Sequence, residues 1–427
     1  MPCSVAVLLA ALAGAASCAD LRFEEQAERW GLTAPAKRVV WGDLDGDGWL
    51  DCILDCRRVY LSRPVEGAAG ARSPAAASGA PRRFVDFTEE SGLLAGGEGG
   101  EGARRVAYAL LGDVDNDGDL DLFSAVSQEP ERWRKDPDRP EEPLLDEAGD
   151  RVPARADDGQ RSAIHLNDGT GRFTRLARSG VEEPAEAALA GTFLDYDLDG
   201  VLDIFAGSSY RSYGWSYDAY PDRLYRGRGD GTFEEVTEAA GLMTRREAGH
   251  RDSSRPTFGV TSGDWNGDGF ADIFVCAYGR QWNLLWRNKG DGTFTEVGES
   301  AGFDGDEVRH GHYPPGISRA PEKPFRSNGN TFDCALADFD NDGDLDLVLG
   351  EITHAWAGSS SDASARLVNQ GAAEGFHFRR ARDAGITRRH EIERWNQGDL
   401  HTGWIDADGD GLLDLIIASG DYPDDQR

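Results

Sequence analysis

Positive charge is scarce in this chain of 427 residues: 45 Lys and Arg stand against 77 Asp and Glu, for a formal net charge of −32. A polyanion has to be met by clustered Lys and Arg, so nucleic acid is excluded as a partner, and an anionic membrane surface would repel the chain. Long apolar runs are missing too. The longest, Val5 to Ala16, is too short to span a bilayer comfortably, and no other segment could cross one. The 8 His are scattered without zinc spacing and there is no GxSxG elbow, so no catalytic constellation is visible. Nor is there helical periodicity of any length. Short apolar runs and 54 Gly point instead to many tight turns and hence to β structure. With 39% hydrophobic residues, 11 Trp, 11 Tyr and 18 Phe, the chain can build real cores and is not a disordered acidic tail.

What the sequence does have is an acidic nonapeptide in six copies: DLDGDGWLD from Asp43, DVDNDGDLD from Asp113, DYDLDGVLD from Asp195, DWNGDGFAD from Asp264, DFDNDGDLD from Asp338 and DADGDGLLD from Asp406. The first aspartates are 70, 82, 69, 74 and 68 residues apart, a period that demands a repeat architecture. An apolar stretch precedes each loop (VAYALLG, TFGVTSG) and another follows it (LFSAV, IFVCA), so two strands flank it. A second hairpin follows in four units, as in NLLWRNKGDGTFTEVG from Asn283, where Gly and Asp accept the positive φ of the turn. The expected unit is four strands, and the expected fold is an all-β propeller of four-stranded blades with six repeats visible. A phrase of the type TFEEVTEAAGL, ending at Leu242, closes each hairpin, and RFEEQAERWGL opens the chain from Arg22. This opening phrase predicts a leading outer strand that closes the ring.

Residues 1–19 read as a secretory signal, an apolar run followed by small residues, although no Lys or Arg stands near its start. Cys18 after Ala15, Ala16 and Ser17 loosely resembles a lipoprotein box, which allows a cut before Cys18 and a lipid tether. The propeller is expected over residues 20–427, with the chain stopping inside its last blade. Three insertions are placed in loops, from Glu66, from Glu129 and from Asp304 to Asn330. Cys52, Cys56, Cys276 and Cys334 lie on or beside strands and read as buried free thiols, with a disulfide open in an oxidising compartment.

Hard divalent cations take oxygen ligands, and calcium accepts six to eight of them. The pattern DxDxDGxxD supplies carboxylates at its first, third, fifth and ninth positions and a backbone carbonyl at the seventh, with Gly at the sixth for the turn. The ligand sets are Asp43, Asp45, Asp47, Trp49 and Asp51; Asp113, Asp115, Asp117, Asp119 and Asp121; Asp195, Asp197, Asp199, Val201 and Asp203. They continue with Asp264, Asn266, Asp268, Phe270 and Asp272; Asp338, Asp340, Asp342, Asp344 and Asp346; Asp406, Asp408, Asp410, Leu412 and Asp414. About six Ca2+ sites are expected, with Asn266 keeping an oxygen but losing a charge. Magnesium suits them less, because it prefers near-ideal octahedra with retained water. A site binding at ~0.1 mM in ~1 mM free calcium adds ~1.4 kcal/mol by mass action, which makes the ions part of the fold.

The repeated loop, the GDGTF hairpin and the F-x-x-x-T-x-x-x-G-L phrase resemble the FG-GAP and VCBS repeats of integrin α-chain-type β-propellers, in the subgroup of cartilage acidic protein and its ASPIC/UnbV-like relatives. The resemblance covers the mature chain and implies a secreted calcium-binding propeller, commonly of seven blades, with roles in adhesion or extracellular binding. In a bacterium the location would be periplasmic or at the cell surface. The expected partner is an extracellular protein or glycan. The alternatives are a propeller-type hydrolase or lyase, or a structural spacer of a larger secreted protein. His310 with His312, and His401 before the sixth loop, read as local contacts, and Arg228-Gly229-Asp230 as the front of a turn repeated at KGDGTF. Tyr210, Tyr213, Trp215, Tyr217 and Tyr220 form the densest aromatic cluster and read first as packing residues.

Overall fold

The structure is a computed structural model, and it describes residues 6–10, 27–34, 36, 38–65, 82–94, 106–126, 135–139, 141–142, 144–145, 161–183, 188–211, 218–245, 252–317, 328–381, 386, 396–407 and 411–420. An N-terminal strand β1 (Ala6–Ala10) is followed by the first blade, β2 (Val39–Gly42), β3 (Asp51–Leu54), β4 (Arg58–Pro64) and β5 (Arg82–Asp86). The second is β6 (Val106–Gly112), β7 (Asp121–Val126), β8 (Ala163–Asn167) and β9 (Phe173–Arg175). The third is β10 (Ala188–Leu194), β11 (Asp203–Ser208), β12 (Arg223–Gly227) and β13 (Phe233–Glu235). The fourth is β14 (Thr257–Gly263), β15 (Asp272–Ala277), β16 (Leu284–Asn288) and β17 (Phe294–Glu296). Next come β18 (Thr331–Ala337), β19 (Asp346–His354), β20 (Ala365–Asn369) and β21 (Phe378–Ala381), then β22 (Asn396–Ile405) and β23 (Asp414–Ser419). Each of the first four sheets is antiparallel, in sequence order.

The architecture is an all-β propeller with four-stranded blades, and among the described residues it has five blades where six repeats were expected and seven are common among resembling proteins. The last sheet has seven strands, because β19 serves two hairpins. Leu347–Leu349 of β19 pair with β20, and the strand then runs on so that Ile352–His354 pair with β22. Gly350 permits this: a Cβ there would stand 2.8 Å from the Asp399 carbonyl oxygen. The sixth acidic loop therefore sits on a hairpin fused to the fifth blade. Strand β1, inside the stretch read as a signal, lies antiparallel along β23.

Every residue of β7, β11 and β15 is buried, which is why these strands read as unbroken apolar runs rather than alternating ones. Both faces are covered, each by a neighbouring blade. Ile273 and Val275 enter the core shared with the third blade, while Phe274 and Cys276 enter the core shared with the fifth. Equivalent cores join the first blade to the second and the second to the third.

Residues 22–26 of the opening phrase, where the leading outer strand was expected, lie outside the described residues, and Ala27–Trp30 is a single helical turn. Gly31 after it sits against β5, where a Cβ would meet the Phe84 carbonyl oxygen at 2.4 Å. Gly92 against Phe173, Gly180 against Phe233 and Gly302 against Phe378 stand in the same relation, so each closing phrase latches onto the outer strand of the following blade. The backbone bonds agree, with Phe173 N–H donating to Ser91 O at 2.7 Å and Phe233 N–H to Ser179 O at 2.7 Å.

Candidate metal centres

Each acidic loop is a turn wrapped around its first aspartate. Asp43 Oδ1 accepts the Asp47 N–H at 3.1 Å and Oδ2 the Gly48 N–H at 2.8 Å. Asp113, Asp195, Asp264 and Asp338 accept the same pair of amides. The Gly at the sixth position has φ of +83° to +97° in all six copies, a region open to Gly at little cost. The fifth-position carboxylate holds the seventh N–H, as Asp47 does for Trp49 and Asp199 for Val201, each at 3.0 Å.

The ninth aspartate opens the second strand and is buried. Asp51, Asp121, Asp203, Asp272 and Asp346 have 0% exposure. Asp51 Oδ2 accepts the Leu44 N–H at 2.9 Å and Oδ1 the Ser62 N–H at 2.7 Å, so this residue ties the loop to the third strand. Burial pushes these carboxyls up, against their backbone hydrogen bonds and with neighbouring aspartates adding to the shift: Asp51 and Asp121 to about 6, and Asp203, Asp272 and Asp346 to about 7.

Four loops bring three carboxylates together with one oxygen from each within 4.8 Å of the others: Asp43, Asp45 and Asp51; Asp113, Asp115 and Asp121; Asp195, Asp197 and Asp199; Asp338, Asp340 and Asp346. The third-position residues carry the key feature. Asp45, Asp115 and Asp197 each keep a buried Oδ1 that no protein group satisfies, and Asp346 keeps a buried Oδ2. Buried carboxylate oxygens are almost always paired, and a cation bound between the three carboxylates would satisfy them. The all-oxygen donor set fits a hard divalent cation. In the fourth loop Asn266 Nδ2 donates to Asp268 Oδ2 at 3.0 Å, which offsets part of the charge locally. In the sixth, Asp408 and Asp410 lie outside the described residues; Gly411 N–H donates to Asp406 Oδ2 at 3.0 Å and Ala407 N–H to Asp414 Oδ2 at 3.0 Å, as in the other copies.

The loops differ in their counter-ions, which the repeat pattern alone did not show. Arg63 ion-pairs with Asp45 and Arg82 with Asp47 in the first loop. Arg226 pairs with Asp197 at 2.8 Å and Asp199 at 2.9 Å in the third, and Arg287 with Asp268 at 3.3 Å in the fourth. The chain positions of Arg226 and Arg287 are taken by Leu166 and Val368 in the second and fifth blades. Those two loops instead carry an additional carboxylate at the seventh position, Asp119 and Asp344.

The remaining singled-out residues are local. His312 N–H donates to His310 Nδ1 at 3.3 Å, and neither ring belongs to a metal-competent acidic group among the described residues. His401 lies 3.8 Å from Asp333 and edge-on to Phe332. Arg228 pairs with Glu234 and Asp230 caps Thr232, which is the turn role. Tyr210 is buried against Tyr278 and Tyr220 lies under Arg211, both packing roles; Tyr213, Trp215 and Tyr217 lie outside the described residues. The four described cysteines are free and buried.

An FG-GAP-like repeat model matches residues 213–275 and 264–349, which span the fourth and fifth acidic loops. The chain is 28% identical over 215 residues to cartilage acidic protein 1 of Homo sapiens, covering 47% of this chain and 25% of that protein. It is 28% identical over 207 residues to the Xenopus tropicalis protein of the same name, covering 38% and 29%. The matches thus span under a third of these relatives. Among solved structures, the V. cholerae biofilm matrix protein Bap1 aligns over 81% of this chain and 39% of its own with a TM-score of 0.33 and 15% identity, too loose an overlay to argue from. No described helix is long and apolar enough to cross a membrane. The chain carries FG-GAP-like repeats in a propeller-like arrangement of sheets and is homologous to cartilage acidic protein 1.

Proposed function

We propose that this chain is a secreted calcium-binding propeller that acts as an extracellular binding or adhesion module for a protein or glycan. The observation that carries the calcium reading is the set of buried, unsatisfied carboxylate oxygens on Asp45, Asp115 and Asp197, each grouped with two further carboxylates of its own loop. Calcium tolerates the flexible oxygen cage that such a loop provides, and one ion per loop offsets a charge that is otherwise self-repelling. The relatives' name places them in cartilage, which supports an extracellular setting, and the formal charge of −32 suits a calcium-rich one. The ion's work is structural: it pins the turn between the first and second strands of a blade, and rigid blades then present loops to a partner.

The test is thermal unfolding of the whole chain in about 2 mM calcium and in excess chelator, with a direct count of bound ions. Several ions per chain and a large fall in Tm on chelation are expected. Equal Tm values with no bound calcium would overturn the calcium reading. Glycan and matrix-protein arrays with and without calcium then test the binding role, and a calcium-loaded chain that binds nothing on them would favour a spacer.

A further inference from the structure

Two thiols face each other between the fourth and fifth blades, and cation binding makes no use of them. Cys276 on β15 and Cys334 on β18 are 0% and 4% exposed and share one apolar core with Phe274, Leu285 and Leu349. Strand alternation sets their direction. Cys276 lies on the β15 face that packs against the fifth blade, with Phe274, and Cys334 joins the same core while its neighbour Ala335 enters the next.

Two packed sheets normally stand about 10 Å apart, whereas a disulfide needs Cα atoms roughly 4.4 to 6.8 Å apart. Close approach of the inner strands narrows the gap here. Gly259 on β14 is the register partner of Cys276, and a Cβ on it would stand 2.7 Å from the Asp333 Cα and 2.7 Å from the Phe332 carbonyl oxygen. A glycine at this position therefore lets the β18 backbone press onto β14 beside Cys276, one residue before Cys334. Cα atoms of β15 and β18 come within 8 Å of each other, and Cys334 adds to the upward push that burial gives the Cys276 thiol.

We propose that Cys276 and Cys334 are a modification site, an inter-blade disulfide formed during folding by exchange with a small-molecule disulfide of the glutathione type. One cysteine thiolate attacks the oxidant's S–S bond, forming a mixed disulfide and releasing one small thiol. The other cysteine thiolate attacks the protein-side sulfur and releases the second. Two cysteine thiols are oxidised to one disulfide, the oxidant is reduced to two thiols, and the two cysteine protons end on them.

Folding is the stage at which this happens, because the packed interface shuts both sulfurs away from any oxidant. Burial also pushes the Cys276 thiol up, which suppresses the attacking thiolate once the blades have closed. The same shielding protects the finished bond from reductants. Cys52 packs with Leu54 and Tyr60, and Cys56 in the core between the first and second blades, so neither competes for this pair. The bond needs an oxidising compartment, which the proposed secretion supplies, and it is independent of whether calcium is bound.

The test is to refold the full chain in a glutathione redox buffer, denature it in acid, alkylate without reduction and map the peptides. The expected result is a linked peptide pair containing Cys276 and Cys334, lighter by two hydrogens than the free peptides, with Cys52 and Cys56 alkylated. In Cys276→Ser, Cys334 should become alkylated, and the non-reducing Tm should fall to that of the fully reduced wild type. Alkylation of both Cys276 and Cys334 in the refolded wild type would overturn the proposal, as would linkage of either to another cysteine or to glutathione. Should the variant fail to fold, the wild-type map decides alone.

Discussion

Asn288 Nδ2 donates to the Tyr196 carbonyl oxygen at 2.8 Å and so joins the third strand of the fourth blade to the acidic loop of the third. The same amide donates to the Ala271 carbonyl oxygen of its own loop at 3.2 Å. Asn167 makes this bridge to Leu44 at 2.8 Å, and Asn369 makes it to Trp265 at 2.9 Å. Neighbouring acidic loops are therefore held to one another through a buried side chain.

Replacing Asn288 by Ala leaves two carbonyls without their donor, so Asn288→Ala should destabilise the chain by about 1–3 kcal/mol. Urea unfolding of the full chain measures it. Because the amide braces two loops, calcium affinity should fall at both, and a calorimetric titration indistinguishable from wild type would show the bridge to be irrelevant to the ions.

Counter-ions should divide the calcium sites into two classes. The loops from Asp113 and Asp338 lack the arginine that occupies the third-strand position in the third and fourth blades, so they should fill first. Removing Arg226 frees Asp197 and Asp199, and Arg226→Ala should tighten the third site several-fold at low salt. Titration with a fluorescent lanthanide reads this directly, and one uniform class unchanged by Arg226→Ala would contradict it.

Glu351 predicts a loss of stability in alkali. Its carboxyl, fully buried, is pushed up to about 8 by burial first and by Asp362 next, against Arg380 and the Thr331 hydroxyl that donates to Oε1 at 2.7 Å; Asp399 adds to the rise. A raised carboxyl means that the folded state holds the proton more tightly than the unfolded one. Its contribution is complete below the ordinary value of 4.5 and is lost as pH rises through about 8. Glu351→Gln, which cannot ionise, should match wild type near pH 5 and exceed its Tm by a few degrees near pH 9. Parallel melting curves across that range would refute the assignment.

If residues 1–19 are an export signal, the secreted chain should begin near Asp20, and the β23 edge that β1 covers in the full-length chain would then be free for another strand. Intact-mass measurement of secreted material checks this. A mature chain that retains Ala6–Ala10 would show that the apolar stretch belongs to the blade instead.

Much of the site was legible from the loop pattern, because the ligand positions lie within nine residues and local turn chemistry sets their geometry. Asn167, Asn288 and Asn369 stand in the strings HLND, WRNK and LVNQ, but no local pattern shows their bridging role, because their partners lie 92 to 123 residues away. Val181 is buried between the second and third blades and Ile386 against β19 and β23, although the phrases that end at them match the TxxxGL form weakly.

The sequence by itself determined the repeat, the strand pairs around each acidic loop and the closing glycines, because these depend on spacing, turn conformation and hydrophobic runs that act over a few residues. The number of blades was decided only in three dimensions. The nine residues of β19 and the bare Cα of Gly350 let one strand pair with both β20 and β22, and no local pattern records how far a ladder runs past its own hairpin. The arginines beside particular loops and the opposed thiols of Cys276 and Cys334 were likewise settled by packing between strands and blades, where distance along the chain says nothing of distance in space.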